Sequence, residues 1–293
     1  MTSHSIIILT KDRPGLLPRA VASAMRALGD DGEVLVVDDA SKRPAEDVLH
    51  GPGDQRLRIM RREFSAGISA ARNAGIAASR GAVIFFLDDD DELWPDYIGD
   101  ILHGPAPRFD YGFSACVVTR DGRREPPRRP RFATGPVPRN APLRKQLCGT
   151  GMGFWIHRQV ADAVGPFTTE IPINEDTDYV CRLIEQGRRA WYSARPGVTV
   201  HSHASANEAG NITTRLDALQ RAQAMLHVCD RFPAMAGHLG RSYLRHCARA
   251  GLFEESARYL SRQTDRRLRI QLTMYFHLKC LGYRARGLAR RKA

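Results

Sequence analysis

Short apolar runs alternate with helix-period segments through the first hundred residues, the pattern of successive β-α-β units and an α/β fold with a mostly parallel sheet. Ser5 to Leu9 reads as the first strand, after which Leu16, Leu17, Ala20, Val21 and Ala24 recur at helical spacing. Glu33 to Val37 is the second strand and Leu57 to Met60 the third. Ile68 to Ser79 reads as an alanine-rich helix opened by Gly67, and Ala82 to Leu87 as the fourth strand.

Each of these strands stops at polar residues: Thr10-Lys11-Asp12, Asp38-Asp39, Arg61-Arg62, and then the four consecutive aspartates Asp88 to Asp91. Ligands of open α/β sheets bind beyond the carboxyl ends of the strands, so two acidic clusters there point to one shared crevice. Downstream, the Pro/Arg-rich stretch from Asp121 to Pro142 reads either as a solvated irregular loop or as a mobile flap over the site. A helix is expected to open at NEDTDYVCRLIEQG, followed by the strand-like GVTVHSH. From about Thr213 the pattern is helical, with a hairpin around HCARAGLFEESARYL, and no repeat of solenoid period is present.

Composition narrows the class. A chain of 293 residues with 43% hydrophobic content suits one large globular domain or two sharing a core. No stretch approaches the roughly 18 apolar residues of a membrane span, and the opening MTSHSIIILTKDRPG lacks a basic n-region and long apolar core, so a cytoplasmic location is expected. Six well-separated cysteines without a C-x-x-C pair argue against a zinc module or a disulfide framework. Net charge is +12, and the last 53 positions, from Arg241, hold 14 Lys and Arg against three acids. A basic tail on a nearly neutral body suits an anionic partner, lipid headgroups or nucleic acid. Alternatively it forms a helical hairpin packed on the preceding domain with solvated arginines. No nucleic-acid reading module accompanies it, so nucleic acid is not expected.

The candidate chemistry lies in the carboxylates. Unit charges about 4 Å apart at an effective dielectric near 20 repel by roughly 4 kcal/mol, a cost that a cation would remove from the aspartate block. Hard divalent ions take oxygen ligands of this kind, commonly one or two carboxylates plus substrate phosphates; equally, an acidic loop could cap a following helix. Asp38-Asp39 at a strand end can hold a ribose hydroxyl or a base N–H, or serve ordinary turn chemistry. Neither a Gly-rich phosphate loop nor a dinucleotide fingerprint is present, which leaves a metal to neutralise any diphosphate. Glu175-Asp176 could supply a general base, although Asn174 followed by three acids is also what a helix start favours. His201 and His203 would share one face of a strand, as a surface pair or near a metal.

Taken together and in order, VVDDAS, SAGISAARNAGIAASRGAVIFFLDDDDEL and GPFTTEIPINEDTDYVCRLIEQG resemble the family 2 glycosyltransferases of GT-A fold, over Ser5 to about His203. That resemblance implies a Rossmann-like GT-A sheet flanked by helices, a nucleotide-diphosphate sugar donor, a divalent metal (Mn²⁺ or Mg²⁺), and transfer to an acceptor hydroxyl. Asp39 matches the aspartate that contacts the nucleobase, with Asp38 beside it, and Arg72 the basic residue near the base. Asp90 matches the metal ligand, while Asp88 or Asp89 faces the ribose. Asp176, next to Glu175, matches the general base of an inverting displacement, and His203 falls where relatives place a histidine near metal or diphosphate.

Two departures stand out. The stretch after the first strand is Leu9-Thr10-Lys11-Asp12-Arg13, so Thr10 and Asp12 remain expected donor contacts but the aromatic of the family's stretch is missing. The Q-x-x-R-W motif of processive relatives is absent, since QGRRAW carries an extra residue; transfer of a single sugar follows. The expected division is a donor-binding half over 1–105, an acceptor-binding half over 106–212 and a basic helical region over 213–293. The expected function is a hexosyltransferase acting on a glycan or lipid-linked acceptor in cell-surface polysaccharide assembly, with peripheral contact at the inner face of a membrane through 241–293 as one reading of the basic region. Two rivals are a non-catalytic sugar-nucleotide-binding scaffold, which needs no base, and a nucleotidyltransferase, which would release pyrophosphate.

Overall fold

The structure, a computed structural model, describes residues 2–49, 53–120, 122–127, 131–202 and 216–290, with side chains to 283. Its contacts divide the chain into two compact units, Met1–Gly210 and Asn211–Ala293.

The first unit runs β1 (His4–Thr10), α1 (Leu17–Ala27), β2 (Gly32–Asp38), β3 (Leu57–Arg61), α2 (Ile68–Ala78), β4 (Val83–Asp88), β5 (Glu92–Leu93), α3 (Tyr97–His103), β6 (Tyr111–Arg120), β7 (Arg123–Arg124), β8 (Gly135–Pro136), α4 (Leu143–Gln146), β9 (Trp155–His157), α5 (Arg158–Val164), α6 (Glu175–Glu185) and β10 (Ala190–Ser202). One sheet carries the strands in the order β3-β2-β1-β4-β9-β6-β10-β5, with β7 on β6 and β8 on β10. β1 lies parallel to β2 and β4, and β2 parallel to β3. β9 then enters antiparallel to both β4 and β6, and β10 runs parallel to β6.

The central strands read as unbroken apolar runs because both faces are covered, as parallel sheets require. On β1, Ile6 and Ile8 pack with Leu17, Ala20 and Ala24 of α1 and with Ile98 and Ile101 of α3. Ile7, on the opposite face, joins Ala71 of α2, Val160 of α5, and Tyr179 and Leu183 of α6. Alternate side chains therefore feed two cores from one strand.

Parallel register fixes where the site falls. Thr10 is opposite Asp38, and Leu9 is opposite Asp88, so the polar endings of β1, β2 and β4 meet at one edge. The Pro/Arg-rich stretch is irregular over most of its described residues but is pinned to the sheet at two points: Arg123–Arg124 pairs with β6 and Gly135–Pro136 with β10. Phe132 packs edge-on against Tyr192 at 5.7 Å. Alternating backbone pairing at isolated dipeptides leaves no periodic signal in such a sequence.

The second unit is helical over its described residues: α7 (Ala218–Arg231), α8 (Ala236–Ala250), α9 (Phe253–Ser261) and α10 (Arg266–Arg290). Asp217 and Gln220 close a capping box at the start of α7. Gly251, in the left-handed region, turns α8 into α9, and Tyr243 and Tyr259 meet across that hairpin at 4.8 Å. Among the described residues no helix is long and apolar enough to cross a membrane.

Candidate active site

The aspartate block does not cap a helix. Asp88 to Asp91 turn directly into β5, and α3 begins only at Tyr97, with no side chain capping it. Asp88, Asp90 and Asp91 each bring a carboxylate oxygen within 4.8 Å of the others, a donor set of hard oxygens that fits Mg²⁺ or Mn²⁺. Asp89 points elsewhere, accepting from Thr10 Oγ1 at 2.7 Å and from Arg13 Nη1 at 2.9 Å. The same Arg13 nitrogen reaches Asp90 Oδ2 at 3.1 Å, and Arg19 Nη2 donates to the Asp90 carbonyl at 2.6 Å.

Burial first, and neighbouring charge after it, shifts the titration of these groups. Desolvation, reinforced by Asp90, raises Asp88 despite the opposing charge of Arg72. Desolvation also pushes Asp89 up to about 6, against the pull of Arg13 and Thr10, and it pushes Asp91 up to about 8 with help from Asp88. Burial works against the charge on Arg13, yet Asp89 and Asp90 outweigh it and hold that guanidinium above its ordinary value.

On β2, the two adjacent aspartates have different tasks. The fully buried Asp38 carboxylate accepts from Ser41 N at 2.8 Å, Ala45 N at 3.0 Å and Arg61 Nη1 at 3.1 Å, so it is spent on holding its own loop. Asp39 accepts from Arg62 Nη1 and from Ser65 Oγ. Asp12, with φ of 55°, accepts from Lys42 N at 2.7 Å. Its carboxylate thereby ties the ends of β1 and β2 together.

A second carboxylate centre opens α6. Asn174 adopts a left-handed φ of 66° and its side chain caps nothing; its Nδ2 is buried with no hydrogen-bond partner among the described residues. Glu175 turns inward and takes Arg72 Nη1 at 3.0 Å, while Arg72 Nη2 donates to Thr150 Oγ1 at 3.0 Å and the guanidinium lies 4.8 Å from the Phe167 ring centre. Arg72 is 2% exposed, and the structure places it on Glu175, whereas Arg62 is the cation on Asp39. Desolvation and the Glu175 charge push Asp176 up to about 6.

The loop Gly149-Thr150-Gly151 joins the two centres. A Cβ on Gly151 would stand 2.5 Å from Asp88 Oδ2 and 3.8 Å from Asp91 Oδ2, and one on Gly149 would stand 3.0 Å from Asp176 Oδ2. Glycine at both positions is what lets this loop pass so close to Asp88 at one end and to Asp176 at the other. The cue in sequence was GTGMG, three glycines in five positions. Nothing in the local sequence marks Arg13 as the partner of Asp89 and Asp90.

His201 donates its backbone N–H to Asp91 Oδ1 at 2.9 Å, and its ring bridges Glu92 Oε1 and Thr119 Oγ1, each at 2.8 Å. It therefore braces the aspartate turn from β10. His203 lies outside the described residues. A separate cleft of about 270 Å³, edged by Arg139, Arg188 and Arg189, opens at the starting ends of β6 and β10, the opposite end of the sheet from the carboxylates.

The pattern of Glycosyl transferase family 2 matches residues 5–165. The chain belongs to that family. Over 208 residues it is 31% identical to the succinoglycan biosynthesis protein ExoU of Rhizobium meliloti, a match covering 64% of this chain and 58% of the relative. Over 125 residues it is 26% identical to the GalNAc(5)-diNAcBac-PP-undecaprenol beta-1,3-glucosyltransferase of Campylobacter jejuni, covering 42% of this chain and 40% of that one. The chain thus spans less than two thirds of these relatives' lengths. Residues 1–349 of S. aureus TarS share the fold, with a TM-score of 0.68 at 14% identity over 99% of this chain and 91% of that one. The same TarS segment has been crystallised in complex with UDP-GlcNAc (TM-score 0.64, 14% identity, 95% and 81% covered). The GT-A architecture expected of the family is the one observed.

Proposed function

We propose that the protein transfers one sugar from a nucleoside-diphosphate sugar to a hydroxyl of a glycan or lipid-linked acceptor, with inversion and with a divalent metal, in the assembly of a cell-surface polysaccharide. One observation supports the reading: a single short loop lies against the Asp88 and Asp91 carboxylates at Gly151 and against the Asp176 carboxylate at Gly149, two residues away.

Asp88, Asp90 and Asp91 would hold the ion. When bound, Mn²⁺ or Mg²⁺ would supply positive charge to a diphosphate leaving group. Asp39, at the end of β2, suits the nucleoside, its carboxylate being held by Arg62 and Ser65 and not consumed by its own loop. Asp176 is the base: a carboxylate near an acceptor hydroxyl takes its proton as the oxygen attacks the anomeric carbon. A single displacement of this kind leaves the anomeric centre inverted. Arg72, neutralising Glu175, keeps a second negative charge from raising Asp176 further.

The relatives bear on the substrates. TarS in complex with UDP-GlcNAc makes uridine nucleotides the first donors to test, and the undecaprenol-linked substrate named for the Campylobacter relative supports a lipid-linked acceptor. The decisive experiment pairs a thermal-shift screen of nucleoside diphosphates, with and without Mn²⁺, with transfer assays of Asp176→Asn. Metal-dependent stabilisation by one nucleotide, and a variant that binds donor but transfers nothing, are expected. Release of pyrophosphate in place of nucleoside diphosphate, or an Asp176→Asn variant as active as its parent, overturns the reading.

A further inference from the structure

We infer that the outer face of α10 is a docking surface for an anionic lipid bilayer. This helix carries apolar side chains on two faces. Leu272, Phe276 and Cys280 are buried, with the Phe276 ring 6.0 Å from that of Phe253 on α9. On the other side Ile270, Met274, Leu278 and Leu281 are 50, 61, 67 and 62% exposed. Their spacing of four, four and three residues sets them on one stripe. Scattered exposed leucines are ordinary, but the solvent face of a packed helix is normally polar. Here four large apolar side chains share the second face with Arg267, Gln271 and His277.

Charge selects the occupant. From Arg266 to Arg290 the sequence holds seven Lys and Arg and no Asp or Glu, and Arg266 and Arg267 are exposed at the first turn. A second copy of the chain pairing along this stripe would set two cationic helices side by side. Nucleic acid would satisfy the charge and leave four large apolar side chains in water. An interfacial helix meets both demands, its apolar stripe entering the acyl boundary while the cations lie among anionic headgroups. The inference rests on α10 alone and stands whether or not the transfer reaction is as proposed.

The test is flotation of the full chain with vesicles of phosphatidylcholine alone and of an equimolar phosphatidylcholine and phosphatidylglycerol mixture. Strong binding to the mixed vesicles, weakened by salt, is expected. The double variant Met274→Glu with Leu278→Glu changes only exposed positions, so its melting temperature should match the parent's, while its partitioning falls by about tenfold or more. Undiminished binding by that variant, equal binding to neutral vesicles, or no binding by the parent overturns the inference. So does a parent that elutes as a dimer which the double variant dissociates, because the stripe is then covered by a second copy.

Discussion

The Arg13 guanidinium stands 3.1 Å from Asp90 Oδ2 and 2.9 Å from Asp89 Oδ1, so the aspartate block carries a cation supplied by the chain itself. Removing one partner of a buried ion pair costs about 3–5 kcal/mol because the other charge is left unpaired. Arg13→Gln should therefore lower the melting temperature by roughly 6–20 °C for a unit of this size. Added Mn²⁺ should recover more of that loss in the variant than it adds to the parent, since the ion meets less competition at Asp90. Calorimetry with and without metal checks both, and equal shifts in the two proteins would separate Arg13 from the metal site.

The pair Arg72–Glu175 spans 103 positions of sequence and is closed on both sides, with Arg72 at 2% and Glu175 at 7% exposure. Arg72→Met should destabilise by about 3–5 kcal/mol. Adding Glu175→Gln should return a substantial part of it, a coupling of about 1 kcal/mol or more in a double-mutant cycle. Additive losses in urea titrations would mean that the two side chains do not sense each other.

The strands around this site were legible because burial on both faces makes β1, β2 and β4 unbroken apolar runs; Glu33 to Val37, for example, lies within Gly32–Asp38. Their acidic ends followed from the same pattern. What escaped was non-local or short. β9 has three residues and no period to detect, yet it is the strand that reverses direction between β4 and β6. β5 has two, hidden in a run that could equally be helical. The Gly149 to Gly151 loop gains meaning only when Asp88 and Asp176 stand beside it, and nothing local marks Arg72 as the partner of Glu175. Asn174 has the sequence of an N-cap and the left-handed backbone of something else, since the first turn of α6 is turned inward.

Asp38 and Asp39 are neighbours whose loss should read out differently. Asp38→Ala strands two backbone N–H groups and Arg61 in a fully buried setting, and should cost about 2–4 kcal/mol of stability. Asp39→Ala gives up contacts with Arg62 and Ser65 at the edge of the site. It should cost stability as well, since Arg62 is left unpaired, but unlike Asp38→Ala it should also weaken nucleotide affinity about tenfold or more. Paired melting curves and nucleotide titrations decide this; a collapse in stability at Asp39 with Asp38 spared would reverse the assignment.

Asp176 gives the reaction its pH dependence. Desolvation and Glu175 push this carboxyl up to about 6 in the folded protein, against about 3.9 for an unperturbed aspartate. Because the folded chain then binds the proton more tightly than the unfolded one, this group's contribution makes stability fall as pH rises from about 4 to about 6 and stay level above. Activity runs the other way: only the ionised carboxylate can accept the acceptor's proton, so the rate should rise through pH 6 and plateau above about 7. Moving the repulsive neighbour tests the cause. With Glu175→Gln the limb of the kcat profile should shift towards lower pH, provided Arg72 stays in place, and a limb that stays near 6 would assign the titration to desolvation alone.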